Sequence, residues 1–254
     1  MPADPLMLVP YAFLGFAPGL FWLWFFRRKD DFEPEPRLAV LRVFGLGCLS
    51  AGLILVARPL LEDLVPRGDG VGGEVVDAFL LTAVPEELAK LAAFLLGAFL
   101  SREFDEPLDG IVYGVAAGLG FASVENVLYI IQTGSPSVIV LRAFTATLGH
   151  VAFSGLLGWS FARGRFALGP KRIAFPVLGF AIAVSLHGTY NLFLSVGRGP
   201  QVLSLLVVLP FGLVLLGLKI RSSRARSREF HPELSSGGDR GDREETGRRG
   251  PRRD

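Results

Sequence analysis

The sequence predicts an all-α fold, a polytopic bundle of about seven membrane-spanning helices. Half of the 254 residues are hydrophobic and mean hydropathy is positive, which is too apolar for an ordinary soluble domain. The apolar residues fall into blocks long enough to cross a bilayer, which takes about 20 residues. Basic residues gather in alternate connections and so give the bundle a direction.

The spans follow in order as roughly Leu6–Phe26, Leu38–Ala57, Val75–Leu100, Gly110–Ile131, Val138–Ala162, Ile173–Val196 and Val202–Ile220. Span one lacks basic residues ahead of it and ends in Phe25-Phe26-Arg27-Arg28-Lys29, with no small-residue cleavage site. It reads as a retained helix and not as a cleaved signal peptide. Trp22 and Trp24 near its end read as headgroup anchors. Span two holds the single cysteine, Cys48, so neither an intramolecular disulfide nor a cysteine zinc site is expected.

Arg27, Arg28, Lys29 and Arg37 follow span one, Arg102 follows span three, and Arg163, Arg165, Lys171 and Arg172 follow span five. Lys219 and Arg221 open the tail. The positive-inside rule then puts the N-terminus outside and the C-terminus inside. Residues 1–220 form the membrane domain. Residues 221–254 mix Arg, Asp, Glu, Gly and Ser and read as a disordered cytoplasmic tail. A net charge of +2, confined to loop flanks, points to lipid contact and to no nucleic-acid partner.

Four consecutive spans carry groups that hydrocarbon rejects. Span three has Glu86, Glu87 and Lys90; span four has Glu125 and Asn126; span five has His150; span six has His187 and Asn191. A charge at the bilayer centre costs about 2.5–3.5 kcal/mol on insertion scales, so such residues face one another or a cavity and mark a functional site. Counted at 1.5 Å per residue from each outer boundary, Glu86 lies about 16 Å deep, Glu125 about 9 Å, His150 about 18 Å and His187 about 14 Å. The four helices thus share one polar layer. Glu86 with Lys90, and His187 with Asn191, are spaced i, i+4 on one helix face. Gly110, Gly114 and Gly118 give span four a small-residue stripe for close packing, with Glu125 on the same face. Pro85 either kinks span three or starts a half-helix whose first turn holds the glutamates. Asp109, Arg142 and Tyr129 lie near span ends and read as interfacial or supporting groups.

Carboxylates and imidazoles in a dry pocket suit water activation. Glu86 or Glu87 acts as general base, and the histidines either hold a metal or donate to a developing oxyanion. Zinc fits the ligand types, although the HExxH spacing is missing. A proton-coupled transporter or channel is the alternative, because buried Glu, Lys and His also make proton relays. Against it, no inverted repeat is visible. A membrane-bound immunity or scaffolding protein with a degenerate site is a third reading.

Pro85-Glu86-Glu87-Leu88-Ala89-Lys90 resembles the EExxK motif of the PrsW-type intramembrane proteases. Phe121 to Glu125 with Asn126 resembles their FxxxE motif followed by Asn. Gly149-His150 and His187-Gly188-Thr189-Tyr190-Asn191 resemble their two histidine motifs. The similarity spans residues 75–194 and includes the wider group of CAAX-processing and Abi membrane proteases. It departs from the CAAX pattern in having Glu125 where that group has histidine, and Lys90 in EExxK where that group has EExxxR. The resemblance implies an intramembrane endopeptidase, glutamate-dependent and a metalloprotease, in a prokaryotic plasma membrane. It implies a membrane-anchored protein as substrate, with an anti-sigma factor as the family example. Its site is Glu86, Glu87, Lys90, Glu125, His150, His187 and Asn191, with Glu125, His150 and His187 as the metal set and Zn2+ as the metal.

Overall fold

A computed structural model of the chain describes residues 5–28 and 35–230. Ten α-helices run in order as α1 Leu8–Arg27, α2 Arg37–Leu64, α3 Gly70–Val76, α4 Val84–Phe94, α5 Asp109–Thr133, α6 Val138–Phe144, α7 Ala146–Arg165, α8 Lys171–Ser195, α9 Arg198–Leu203 and α10 Leu209–Phe230. Three π-helical stretches, Asp77–Ala83, Leu95–Phe99 and Ser204–Val208, join or extend these helices, and no β-strand occurs among the described residues. Six crossings are long and apolar enough to span a membrane. The seventh, residues 70–99, carries the three charges of the polar cluster. Exposed leucines and isoleucines such as Leu53, Leu96, Ile173 and Leu206 clothe the outside, as expected of helices facing lipid tails. The protein is an integral membrane protein of the predicted all-α class.

α5 is the central element, and small residues set how close its neighbours come. A Cβ on Gly110 would land on the Gly158 carbonyl oxygen, one on Gly114 on the Ser154 carbonyl oxygen, and one on Gly118 on the His150 carbonyl and Ser154 hydroxyl. The glycine stripe therefore beds α5 against α7, as its spacing predicted. On the other sides, Gly15 and Gly19 of α1 meet Val127 and Ser123, and Gly47 of α2 meets the Ala117 carbonyl. Gly188 admits the Phe79 ring against α8, which docks the π-helical stretch beside His187.

Polar ties finish both ends of the bundle. At one end the Tyr113 hydroxyl donates to the buried Glu35 carboxylate. There Asp109 Oδ2 accepts the backbone N–H groups of Asp105 and Glu106 at 2.8 Å each. Asp109 is thus a buried loop anchor and not merely interfacial. At the same end Arg42 donates to the Gly97 carbonyl at 2.8 Å and to Glu103 at 2.9 Å. At the other end Arg58 bonds Asp77 at 2.5 Å and Glu62 at 2.8 Å. Arg58 Nη1 also donates to the Leu81 carbonyl at 2.9 Å, the group four residues before Pro85, which has no N–H to offer it.

Three expectations change. The fifth span is broken: α6 ends at Phe144 and α7 begins at Ala146, with Thr145 at φ −121° and ψ −89°. Depth counted from Val138 therefore placed His150 too deep. Trp22 is a bundle contact and not a headgroup anchor, because its indole N–H donates to the Ala143 carbonyl at 2.9 Å. Residues 221–230, read as the start of a disordered tail, continue α10 to Phe230, since no Gly or Pro interrupts them. Lys29 and residues 231–254 lie outside the described residues.

Substituting Gly114→Val should force α5 and α7 apart. Overpacking of this kind costs about 1–3 kcal/mol, and thermal unfolding in detergent should report a lower midpoint than an exposed-site control such as Gly52→Ala, where nothing lies near the added Cβ.

Candidate active site

Four elements bring the polar layer together. Glu86 and Glu87 stand in the first turn of α4, directly after the π-helical stretch, with Pro85 at the helix start. Of the two expected outcomes for Pro85, the structure has the second: the glutamates open a helical segment, where the dipole favours carboxylates. Lys90 lies one turn on, wholly buried, with its Nζ 2.9 Å from Glu87 Oε1 and 3.4 Å from Glu86 Oε2. The same ammonium stands 4.3 Å from the centroid of the Phe121 ring. One cation therefore compensates two adjacent carboxylates, and an aromatic face adds to its stabilisation.

The two glutamates differ in what they face. Glu87 is fully buried; its Oε1 accepts from Lys90 and also meets His187 Nδ1 at 2.9 Å. A carboxylate bonded to Nδ1 holds the ring in one tautomer and orientation. That leaves His187 Nε2 directed at Glu86 Oε2, 3.8 Å away. The Glu86 side chain keeps 10% of its surface exposed and lines a cavity of about 370 Å³ together with Arg58, Asp77, Thr82, Phe121 and Glu125.

Glu125 of α5 meets His150 of α7 at 2.9 Å, Oε2 to Nε2. The two imidazoles lie 5.5 Å apart, centre to centre, with planes at 77°. Phe153 stacks on His187 at 5.5 Å and Phe121 contacts His150 at 5.7 Å, so apolar rings fix both histidines from outside. A second cavity of about 40 Å³ lies among Glu125, Arg142, His150, His187, Tyr190 and Asn191. It has room for a water molecule, which needs roughly 10–15 Å³.

The structure thus assembles Glu86, Glu87, Lys90, Glu125, His150 and His187 in one layer, with Asn191 on the wall of the small cavity. Asn126 sits apart from the reactive groups, tying Thr147 at 3.2 Å and the Gly15 carbonyl at 3.4 Å. Arg142 is the residue whose place the sequence did not disclose. It is buried, donates to Glu125 Oε2 and Asn126 Oδ1 at 2.8 Å each, and its guanidinium carbon stands 3.7 Å from the centroid of the Tyr129 ring. Its position at the start of span five suggested an interfacial residue. The break at Thr145 turns α6 and so brings Arg142 down onto Glu125. The nearest signal in the sequence was Tyr129, one turn past Glu125 and able to stack on a cation.

The donor set fits a metal in type: two imidazoles and two carboxylates, oxygen and nitrogen ligands of the kind zinc takes. Glu125 Oε2 and His150 Nε2, 2.9 Å apart, are close enough to be neighbours on one ion. Among the described residues no three His, Cys, Asp or Glu side chains converge on a single point. In this arrangement the third donor, His187, faces Glu86 instead.

A bilayer-spanning helical bundle with a buried glutamate–histidine site defines a class, the enzymes that work inside the membrane. Residues 35–216 match the family model described as "PrsW family intramembrane metalloprotease", and the chain belongs to that family. It is 34% identical over 223 residues to a protein named Protease PrsW from Geobacillus kaustophilus, covering 87% of this chain and 96% of that one. It is 33% identical over 181 residues to Protease PrsW of Bacillus subtilis, covering 71% and 81%. Against the Clostridioides difficile protein of the same name identity is 27% over 192 residues, covering 73% and 78%. No solved structure matches the chain. The protein is therefore an intramembrane protease of a family described as metalloproteases, and it acts on protein in a membrane.

Replacing Arg142 with Leu should lower kcat/KM about 10–100-fold, the usual effect of removing a group that orients a site carboxylate. Arg142→Lys, which keeps charge but not the paired geometry, should recover only part of it. Cleavage rates read beside circular dichroism of the detergent-solubilised protein would separate this from loss of fold.

Proposed function

We propose that the protein hydrolyses a peptide bond of a membrane-anchored protein with a water activated by Glu86. The observation that carries this assignment is the asymmetry of the glutamate pair. Glu86 alone faces the large cavity, while Glu87 is sealed against Lys90 and His187. A general base must reach the water it deprotonates, and Glu87 has no path to one. Glu86 takes the proton from water and returns it to the leaving amine as the peptide bond breaks. Lys90 keeps both carboxylates ionised side by side: two opposite charges at 4 Å attract by about 4 kcal/mol at an effective dielectric of 20.

Glu87 works through His187, whose Nδ1 it fixes. His187 and Asn191, both on the small cavity, present a ring nitrogen and a side-chain amide toward the carbonyl oxygen as it becomes negative. Arg142 holds Glu125, and Glu125 in turn sets His150. Glu125, His150 and His187 are the residues that would hold a metal, zinc by ligand type. A bound zinc ion supplies Lewis acidity and a water of lowered pKa. The large cavity, with mixed polar and apolar walls, suits an extended peptide segment unwound from a membrane helix. An anti-sigma factor anchored in a prokaryotic plasma membrane is the substrate type that the family resemblance suggests.

Liposome-reconstituted protein and a panel of single-pass membrane substrates provide the test. Glu86→Gln should lower kcat by about 10²–10⁴, the range for loss of general base catalysis. Glu87→Gln should cost about 10–100-fold, as expected for a partner that orients a histidine. Equal cleavage by wild type and Glu86→Gln would sink the assignment, and a reversed order would transfer the base role to Glu87. A chelator should abolish cleavage by the wild type, with activity restored by added Zn2+; chelator-resistant turnover would remove the metal from the scheme.

A further inference from the structure

Far from the catalytic layer, at the basic end of the bundle, a cavity of about 390 Å³ opens between the α7–α8 connection and α10. Its walls carry Arg163, Lys171 and Arg226 with Phe166, Leu168 and Phe175, and no acidic side chain lines it among the described residues. The guanidiniums of Arg163 and Arg226 are near enough to repel each other. Arg163 Nε is buried without a hydrogen-bond partner among the described residues, and the Phe175 ring lies against its guanidinium with 5.2 Å from Cζ to centroid. Buried donors are normally satisfied, and like charges held together call for a counter-charge between them.

The chain builds this arrangement deliberately from two elements. Gly164 allows α8 to pack on α7, because a Cβ there would strike Pro176 and the Arg172 carbonyl, and Gly169 at φ +60° turns the connection. The continuation of α10 beyond the apolar span then carries Arg226 back over Arg163. Flexible flanking charges would spread out in solvent; these are converged on a pocket that also has aromatic and aliphatic walls. Exposed Leu168 sits at the rim, where acyl chains would meet the protein.

We propose that this pocket binds the phosphate of an anionic phospholipid headgroup. A phosphate supplies acceptors to Arg163 Nε and to the paired guanidinium N–H groups of Arg226. Its negative charge relieves their repulsion, and the ester-linked glycerol and chain tops lie against the apolar wall. Basic pockets between transmembrane helices on the cytoplasmic side are suited to such headgroups. The site is separate from the hydrolytic machinery, so it stands independently of the catalytic assignments.

The test uses full-length protein in detergent, titrated with phosphatidylglycerol, phosphatidylcholine or inorganic phosphate. Phosphatidylglycerol should raise the Tm of the wild type by several degrees and phosphatidylcholine should not. The shift should vanish in Arg163→Gln/Arg226→Gln and persist in Arg102→Gln/Arg172→Gln, which removes the same charge from exposed positions nearby. Native mass spectrometry of the wild type gives a readout that needs no variant: a retained phosphatidylglycerol molecule supports the site, and none retained overturns it. A shift that survives in the first double variant, or falls equally in both, would reduce the pocket to diffuse surface charge and overturn the proposal. Full reproduction of the shift by inorganic phosphate would assign the site to free phosphate and overturn the lipid.

Discussion

The site depends on one ammonium in the middle of a membrane bundle. Lys90 holds two carboxylates side by side on one helical turn, and those two groups then take on different tasks. Withdrawing one partner from a buried charge set costs about 3–5 kcal/mol because the remainder is stranded in low dielectric. Glu86, Glu87 and Lys90 therefore form a unit that is stable together and unstable in part. The unit extends to α8 through Glu87 and His187, so the ion set also fastens the two helices that must stay in register for chemistry. Phe121 closes it from α5, which makes the neighbouring helix part of the same arrangement.

Backbone proximity is the second requirement. The Gly110, Gly114 and Gly118 stripe lets α7 lie directly on α5, and without that approach Glu125 and His150 would not reach 2.9 Å. Lipid tails drive no hydrophobic association between helices, so close van der Waals fit and polar contacts must do it. Here the two are adjacent on the same helix pair: the glycines set the distance and the Glu125–His150–Arg142 contacts use it. The tie from Asn126 to α1 and to Thr147 braces the pair from behind.

Much of this was legible in the sequence because charge inside an apolar run has few explanations. The i, i+4 spacing of Glu86 with Lys90 predicted a shared face, and the contact is present. The glycine stripe named its packing partner by geometry alone. What stayed hidden depended on departures from regular helix. Thr145 carries no Pro or Gly signal, so the break that lowers Arg142 onto Glu125 could not be read, and the depth of His150 was misjudged for the same reason. Trp22 looked like an interfacial anchor because its neighbours are basic, while its indole partner lies 121 residues away. The difference between Glu86 and Glu87 depends on which side of α4 meets the cavity, a property of the assembled bundle.

The π-helical stretches Asp77–Ala83 and Leu95–Phe99 bracket the helical turn that carries the glutamates. Each accommodates one more residue per turn than plain α-helix would. Deleting a single residue from the first stretch would restore regular winding ahead of α4 and rotate its face by about 100° relative to α3. Glu86 and Glu87 would then point away from His187, although every residue of the site would still be present. The aim of the catalytic face is thus encoded as a residue count in a segment that contributes no reactive group, and chain length there is as much a part of the site as the side chains.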